Sequence, residues 1–243
     1  MNDTSGALPD SPIEGLIPTL NNTGWMTTAL DEMSVAFTDY AGQAGGEVLD
    51  IGCAYGIATL AALEKGARVL ACDIEPGHLE ILEQRVPDDL RERLRTSVAV
   101  LPDADFPAGS FSAILAARVL HFLKGPDVEQ AVGKMADWLK PGGRLFLIAD
   151  TPYVGPWKSA AGEYERRKAA GEPWPGFIAD YRSYLPDSVN ADEHPEFLNP
   201  MDPDLLAGAC EAAGLKVLDA RFLSGSTPSS TGREHAGVIA QKT

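Results

Sequence analysis

The chain has 243 residues, with 20 Lys+Arg against 35 Asp+Glu and a formal charge of −15. That length suits one large domain with room for an insertion, at roughly 100–200 residues per domain, and 44% hydrophobic residues exclude global disorder. The acidity argues against nucleic acid, whose binding needs Lys and Arg on phosphates, and no run approaches the roughly 20 apolar residues of a membrane span.

The first twenty residues are polar and proline-interrupted, with no Lys or Arg ahead of an apolar stretch. No export signal is expected there, and a cytoplasmic location is. Cys53, Cys72 and Cys210 lie far apart with no C-x-x-C spacing, so neither a zinc site nor a disulfide framework is expected. Residues 1–20 read as a loose tail, and Gly24–Ala41 as a helix ahead of the first strand. These two pieces make an N-terminal segment over 1–41.

From about residue 45 to 150, short β-rich runs alternate with helical patterns. Glu47–Ile51 reads as a buried strand, and Ile57–Glu64 as a helix with Gly66 at its left-handed cap. Arg68–Cys72 is a second strand and Gly77–Gln84 the next helix. Ser97–Val100 and Ser112–Ala116 read as strands three and four. Apolar residues at 128, 131, 132, 135, 138 and 139 predict a helix over Asp127–Lys140. Pro141-Gly142-Gly143 then stops it, and Arg144–Ala149 is strand five. Continuous apolar strands separated by helices imply a parallel sheet covered on both faces, over 42–150.

Residues 151–200 read as an insertion. Eight of the chain's 18 aromatics fall in the 51 residues 150–200, about twice an even share. They are expected either to seal the sheet or to wall a small-molecule pocket, with Tyr153, Trp157 and Trp174 as lining candidates and Trp25 as a further one. The last part, 201–243, predicts a helix over Asp202–Ala213. Strands Lys216–Leu223 and His235–Gln241 follow, and their short connection makes them antiparallel.

The first strand runs directly into Asp50-Ile51-Gly52-Cys53-Ala54-Tyr55-Gly56 and then a helix. In a doubly wound sheet this turn lies at the switch point where ligands bind. Asp73 closes the second strand 21 residues after Gly52, a spacing that suits a carboxylate gripping ribose hydroxyls. An acid two residues before the first glycine would repel a pyrophosphate but attract an ammonium. Ribose, ammonium and no phosphate together point to S-adenosylmethionine.

The ordered set V-L-D-I-G-C-A-Y-G, A-C-D-I, S-F-S-A-I-L-A-A-R-V-L-H-F-L and L-K-P-G-G-R-L resembles the class I S-adenosylmethionine-dependent methyltransferases over Glu47–Ala149. The resemblance implies a Rossmann-like α/β fold with a doubly wound, seven-stranded sheet, mostly parallel with an antiparallel last strand. It implies that Asp50, Gly52, Cys53, Ala54 and Gly56 cradle the methionine part, Asp73 holds the ribose and Ile74 packs on adenine. Where many members carry Gly-Asp-Ala after strand three, this chain has Ala99-Val100-Leu101-Pro102-Asp103, so either Asp103 takes the adenine-recognising role from a shifted position or Leu101 and Pro102 only sandwich the ring.

Residues after strand four face the reacting centre by topology. Arg118 is expected either to bind a carboxylate of cofactor or substrate, or to make a helix-start ion pair. His121 is a candidate general base, or else a packed residue ordering the loop; Tyr153 and His194 are weaker candidates. Asp150 is expected to lack the acidic partners of a magnesium site, so no metal is expected. The expectation is transfer of a methyl group to a small metabolite. Two alternatives use the same fold: cyclisation of the cofactor's own aminobutyrate chain, and an idle cofactor-binding module.

Overall fold

A computed structural model describes residues 6–11, 13–186, 194–225 and 230–243. Seven strands form the central sheet: β3 (Glu47–Ile51), β4 (Arg68–Asp73), β5 (Leu94–Val98), β6 (Phe111–Ala117), β7 (Leu139–Asp150), β8 (Leu215–Leu223) and β9 (His235–Lys242), in the spatial order β5-β4-β3-β6-β7-β9-β8. β5, β4, β3, β6 and β7 run parallel. β9 lies antiparallel between β7 and β8.

Successive strand residues point to opposite faces, so each face has its own core. Leu49, Ile114 and Leu147 pack under α4 (Gly125–Trp138) and α6 (Pro203–Ala212). Val48, Leu115 and Phe146 pack under α1 (Glu32–Ala41), α2 (Ile57–Glu64) and α3 (Pro76–Arg85). On α4, Val128, Ala131, Val132 and Met135 recur at helical spacing and are fully buried. Each larger one contributes about 1.5–3 kcal/mol of transfer free energy. A charge at Val132 would break this face.

The N-terminal reading is corrected. The helix begins at Glu32 because Asp31 caps it, its Oδ1 accepting from the Ser34 N–H at 2.9 Å. Trp25–Thr27 (β2) instead pairs antiparallel with Leu16–Pro18 (β1). Residues 1–20 therefore contain an element, although Met1–Ser5 lie outside the described residues. β5 begins at Leu94, three residues before the expected start, and ends at Val98. Leu139 already pairs with Phe111, while Ala113 pairs with Arg144. Pro141-Gly142-Gly143 is thus an irregularity within β7 rather than a turn before it.

The insertion is not free of helix either. α5 (Ala161–Ala169) lies between two 3₁₀ turns, Pro156–Ala160 and Tyr181–Tyr184. Trp157, Tyr181 and Leu198 form a small core of their own.

Candidate active site

The loop from β3 to α2 turns on two glycines with φ of 78° at Gly52 and 76° at Gly56. A Cβ at Gly52 would sit 2.2 Å from Val119 Cγ2, and one at Gly56 would sit 2.3 Å from Leu82 Cδ1. Both the turn and the close approach therefore require glycine. Ala54, between them, also has a positive φ of 46°. Its N–H donates to Asp73 Oδ2 at 2.8 Å, so the loop is stitched to the end of β4. Cys53 is buried, and burial pushes its thiol well above the usual range.

Asp50 lies beneath this loop, 2% exposed, with Thr59 Oγ1 donating to its Oδ2 at 2.6 Å. Burial raises its carboxyl to about 6 despite that bond. A cation arriving here would be met by a carboxylate that has no cationic partner among the described residues.

Asp73 is 5% exposed. Its Oδ1 accepts from the Glu75 N–H at 2.9 Å and faces His78 Nδ1 at 3.0 Å. One acceptor position on Oδ2 remains beside the Ala54 bond, since a carboxylate offers about four. Around the ends of β4 and β5, Ile74, Val98 and Val100 expose apolar surface, Ile74 to 55%. Leu101, expected on that shelf, is instead 7% exposed and packs into the core beneath α4; Pro102 beside it is half-buried. Val98 and Val100 were missed in the sequence because exposed valines at a strand end carry no pattern of their own.

Arg118 follows β6 with φ of 58°, a conformation rare for a bulky residue. Its guanidinium pairs with Asp31 Oδ2 at 3.0 Å, tying the start of α1 to the end of β6. His121 is 3% exposed, accepts the Asp150 N–H on Nδ1 at 3.1 Å, and has Nε2 3.9 Å from Asp150 Oδ2. Both ring nitrogens thus face Asp150. Burial lowers the His121 pKa, so the neutral ring with its proton on Nε2 is favoured. Asp150 is not without partners: His235 Nδ1 lies 2.9 Å from its Oδ1. Burial acts upward on Asp150, but the His121 and His235 rings outweigh it and hold the carboxyl below the usual range. His235, which pairs opposite Asp150 on β9, was hidden in the sequence by 85 residues of separation.

Trp157, Tyr164, Phe177 and Tyr184 line one cavity, whereas Tyr153 and Trp174 lie outside its lining. Trp157 is 7% exposed and donates Nε1–H to Thr151 O at 2.9 Å. The cavity it borders, about 350 Å³, is lined entirely by residues 152–200. Trp174 fits against Gly125, where a Cβ would lie 2.0 Å from its ring. The Tyr153 ring carries the Arg233 guanidinium 3.7 Å from its centroid, and its hydroxyl bonds to Glu165. Burial and then Glu165 push that phenol up to about 12. Trp25 is 41% exposed. A second cavity, about 420 Å³, opens between Asn21 and Thr23 on one side and His194–Phe197 on the other, with Phe122 at its wall. Phe122 directly follows His121, in the 3₁₀ turn Leu120–Phe122 that comes after β6.

Residues 48–143 match the family described as "Methyltransferase domain". The chain is 31% identical over 91 residues to the magnesium-protoporphyrin O-methyltransferase of Rhodobacter capsulatus, covering 37% of this chain and 40% of that protein. It is 35% identical over 109 residues to the ubiquinone biosynthesis O-methyltransferase of Xanthomonas axonopodis pv. citri, covering 43% of each. The chain therefore spans about two fifths of the length of these curated relatives. Among solved structures, an S-adenosylmethionine-dependent methyltransferase from Methanosarcina mazei superposes with a TM-score of 0.61 at 20% identity, covering 82% of this chain and 93% of that one. The 1,6-didemethyltoxoflavin-N1-methyltransferase of Burkholderia thailandensis, solved with its substrate and S-adenosylhomocysteine, gives 0.59 at 21% identity, covering 87% of this chain and 76% of that one. Residues 48–143 are thus a methyltransferase domain, and the fold is that of S-adenosylmethionine-dependent methyltransferases.

Proposed function

We propose that the chain transfers a methyl group from S-adenosylmethionine to a small-molecule acceptor, without a metal. The observation that carries this reading is the pairing of a glycine cradle, Gly52–Gly56, with one open acceptor position on Asp73. The residues fit the cofactor's chemistry. Asp50 offers its charge to the ammonium, and Asp73 Oδ2 accepts a ribose hydroxyl. Ile74, Val98 and Val100 give an apolar shelf for the purine.

When bound, the cofactor supplies a sulfonium-activated methyl group. The protein's part is then positioning and exclusion of water. The cavity between Asn21–Thr23 and His194–Phe197 suits an acceptor held by shape and a few hydrogen bonds. Arg118 braces the N-terminal segment through its Nη1 bond to Asp31, and its buried Nε, without a partner among the described residues, remains a donor for a carboxylate. If the acceptor loses a proton, His235 is better disposed to take it than His121. The Asp150 carboxylate holds a proton on His235 Nδ1, leaving a lone pair on Nε2, whereas His121 spends its Nδ1 lone pair on the Asp150 N–H and carries its proton on Nε2.

Calorimetry with S-adenosylhomocysteine tests the cofactor part. The unsubstituted protein should bind it, and Asp73→Ala should weaken binding by about 1.5–3 kcal/mol, the scale of a hydrogen bond to a charged group. Incubation with methyl-labelled cofactor and a panel of phenols, amines and thiols tests the transfer. Methylthioadenosine released from the cofactor alone would favour cyclisation instead. Tight binding with no turnover on any acceptor would favour an idle module.

A further inference from the structure

The chain before α1 is not a tail lying beside the domain; it crosses the proposed cofactor cleft. At one end, the Gly6 N–H donates to Gln84 Oε1 at 2.8 Å, near the end of α3. At the other, Asp31 pairs with Arg118 beyond β6. Between these anchors the segment passes the start of α3, where Leu20 Cδ1 lies 2.9 Å from the Cβ position of Gly77. The β1–β2 hairpin therefore runs over the carboxyl ends of β4 and β3, above the glycine loop.

Two buried side chains hold it there. Tyr55 Oη–H donates to Pro18 O at 2.8 Å, and the Leu20 N–H donates to His78 Nε2 at 3.0 Å. Tyr55 is fully buried and His78 is 1% exposed, with their rings edge to face at 4.7 Å. A backbone N–H can only donate, so Nε2 must present its lone pair. The ring proton is then on Nδ1, which donates to Asp73 Oδ1 at 3.0 Å. One neutral imidazole thus joins the backbone of Leu20 to the carboxylate proposed to bind ribose.

We propose that residues 15–28 are a strap that closes over the cofactor, and that His78 is the positioning residue coupling the strap to Asp73. This rests on the cofactor reading above. The strap is held by hydrogen bonds more than by core packing. Ile17 is buried at 4%, but Leu20 is 45% exposed and Trp25 41% exposed. Such a segment opens at far lower cost than the sheet beneath it. A ligand that contacts only the closed form shifts the population toward closure. His78 gives that shift a path in both directions: a ribose that fixes Asp73 fixes the ring, and the ring fixes Leu20.

Hydrogen exchange on the full chain, with and without S-adenosylhomocysteine, reads strap closure directly. In the unsubstituted protein the ligand should slow exchange across 15–28 about tenfold, and much less across α4. His78→Asn keeps an amide donor where Nδ1 stood but loses the acceptor for Leu20. It should abolish ligand protection of 15–28 and weaken S-adenosylhomocysteine about three- to tenfold, one hydrogen bond's worth. His78→Gln places an amide oxygen near the Nε2 position and should restore much of the strap protection. Tyr55→Phe removes only the Pro18 bond and serves if His78→Asn fails to fold; it should speed strap exchange with the sheet's exchange unchanged. Ligand binding that protects the glycine loop but leaves 15–28 exchanging freely would overturn the strap alone. So would full strap protection in a folded His78→Asn protein. No binding of S-adenosylhomocysteine to the unsubstituted protein would remove the cofactor reading, and the strap's closure over it as well.

Discussion

At the scale of single residues, the site holds two carboxylates whose surroundings push them in opposite directions. Asp50 is raised to about 6 by burial, so its charged form costs stability in the absence of a cationic ligand. The sign follows directly. A carboxyl whose folded pKa exceeds its unfolded value loses stability as pH rises between the two, here from about 4 to about 6. Asp50→Asn should therefore raise the stability of the ligand-free protein at pH 7 by up to about 3 kcal/mol. It should also weaken S-adenosylhomocysteine, whose ammonium loses its counter-charge. Denaturant melts and calorimetry on the same preparation check both halves; a variant that is neither more stable nor weaker in binding would remove Asp50 from the site.

His121 and Asp150 carry the opposite pH dependence. Both pKa values are lowered in the folded state, so the unfolded chain takes up protons first as pH falls. The His121 contribution is complete above about pH 6.5 and is lost below it, at up to about 1.4 kcal/mol per pH unit. The Asp150 contribution is lost only further down, below about pH 4. Melting curves at pH 7.5, 6.5 and 5.5 should fall progressively, and His121→Gln should flatten that decline. If an acceptor is found whose methylation requires proton loss, His235→Asn should lower kcat while cofactor affinity is unchanged. Full rate in that variant would return the proton-accepting role to water or to the acceptor itself.

At the scale of elements, the insertion is anchored by fit more than by continuous secondary structure. Trp174 enters the space that Gly125 leaves at the start of α4. Gly125→Ala should expel it at a cost of about 1–3 kcal/mol, the range for overpacking. Trp157→Ala should cost about 3 kcal/mol and loosen the cluster with Tyr181 and Leu198. Limited proteolysis should then cut within 170–186 while exchange in β3, β4, β6 and β7 stays slow. If the Trp157 variant instead keeps its stability and loses only acceptor turnover, the 350 Å³ cavity it borders holds the acceptor.

The elements also show what the sequence makes legible. From β3 to α4, each strand is a short apolar run and each helix has its own period, so local pattern and tertiary position agree. The loop Asp50–Gly56 and Asp73 were readable for the same reason, since spacing along one βαβ unit fixes their neighbourhood. β1 and β2 were not. Three residues carry no period, and their pairing depends on Pro18 meeting Trp25 across a turn. The start of β7 was hidden by Gly142, whose turn chemistry sits inside a strand. The partners of Asp150 and His78 were out of reach as well. His235 meets Asp150 through the antiparallel register of β9, and Leu20 meets His78 across 58 residues.

For the whole molecule, the reaction proposed here needs no Lewis acid, because a sulfonium already carries the activated methyl group. A chelator in excess should leave any methyl transfer intact, measured as labelled product per minute before and after treatment. Loss of rate that magnesium restores would place the chemistry in a different branch of the fold. The net charge of −15 also gives an expected direction. Anionic polymers such as heparin should neither retain the protein nor compete with its acceptor at moderate salt.

The reversed β9 has a practical consequence. Because it runs against β7, its first residue, His235, stands beside Asp150, while Gln241 stands beside Arg144. The polypeptide thus leaves the sheet on the side opposite the cleft, with Lys242 Nζ bound to Asp137 O at 3.0 Å. A tether or fluorophore joined after Thr243 would emerge far from both cavities. One joined near Gly6 would sit at the root of the strap and bias its opening. For surface immobilisation or single-molecule measurement, the carboxyl end is the handle to use.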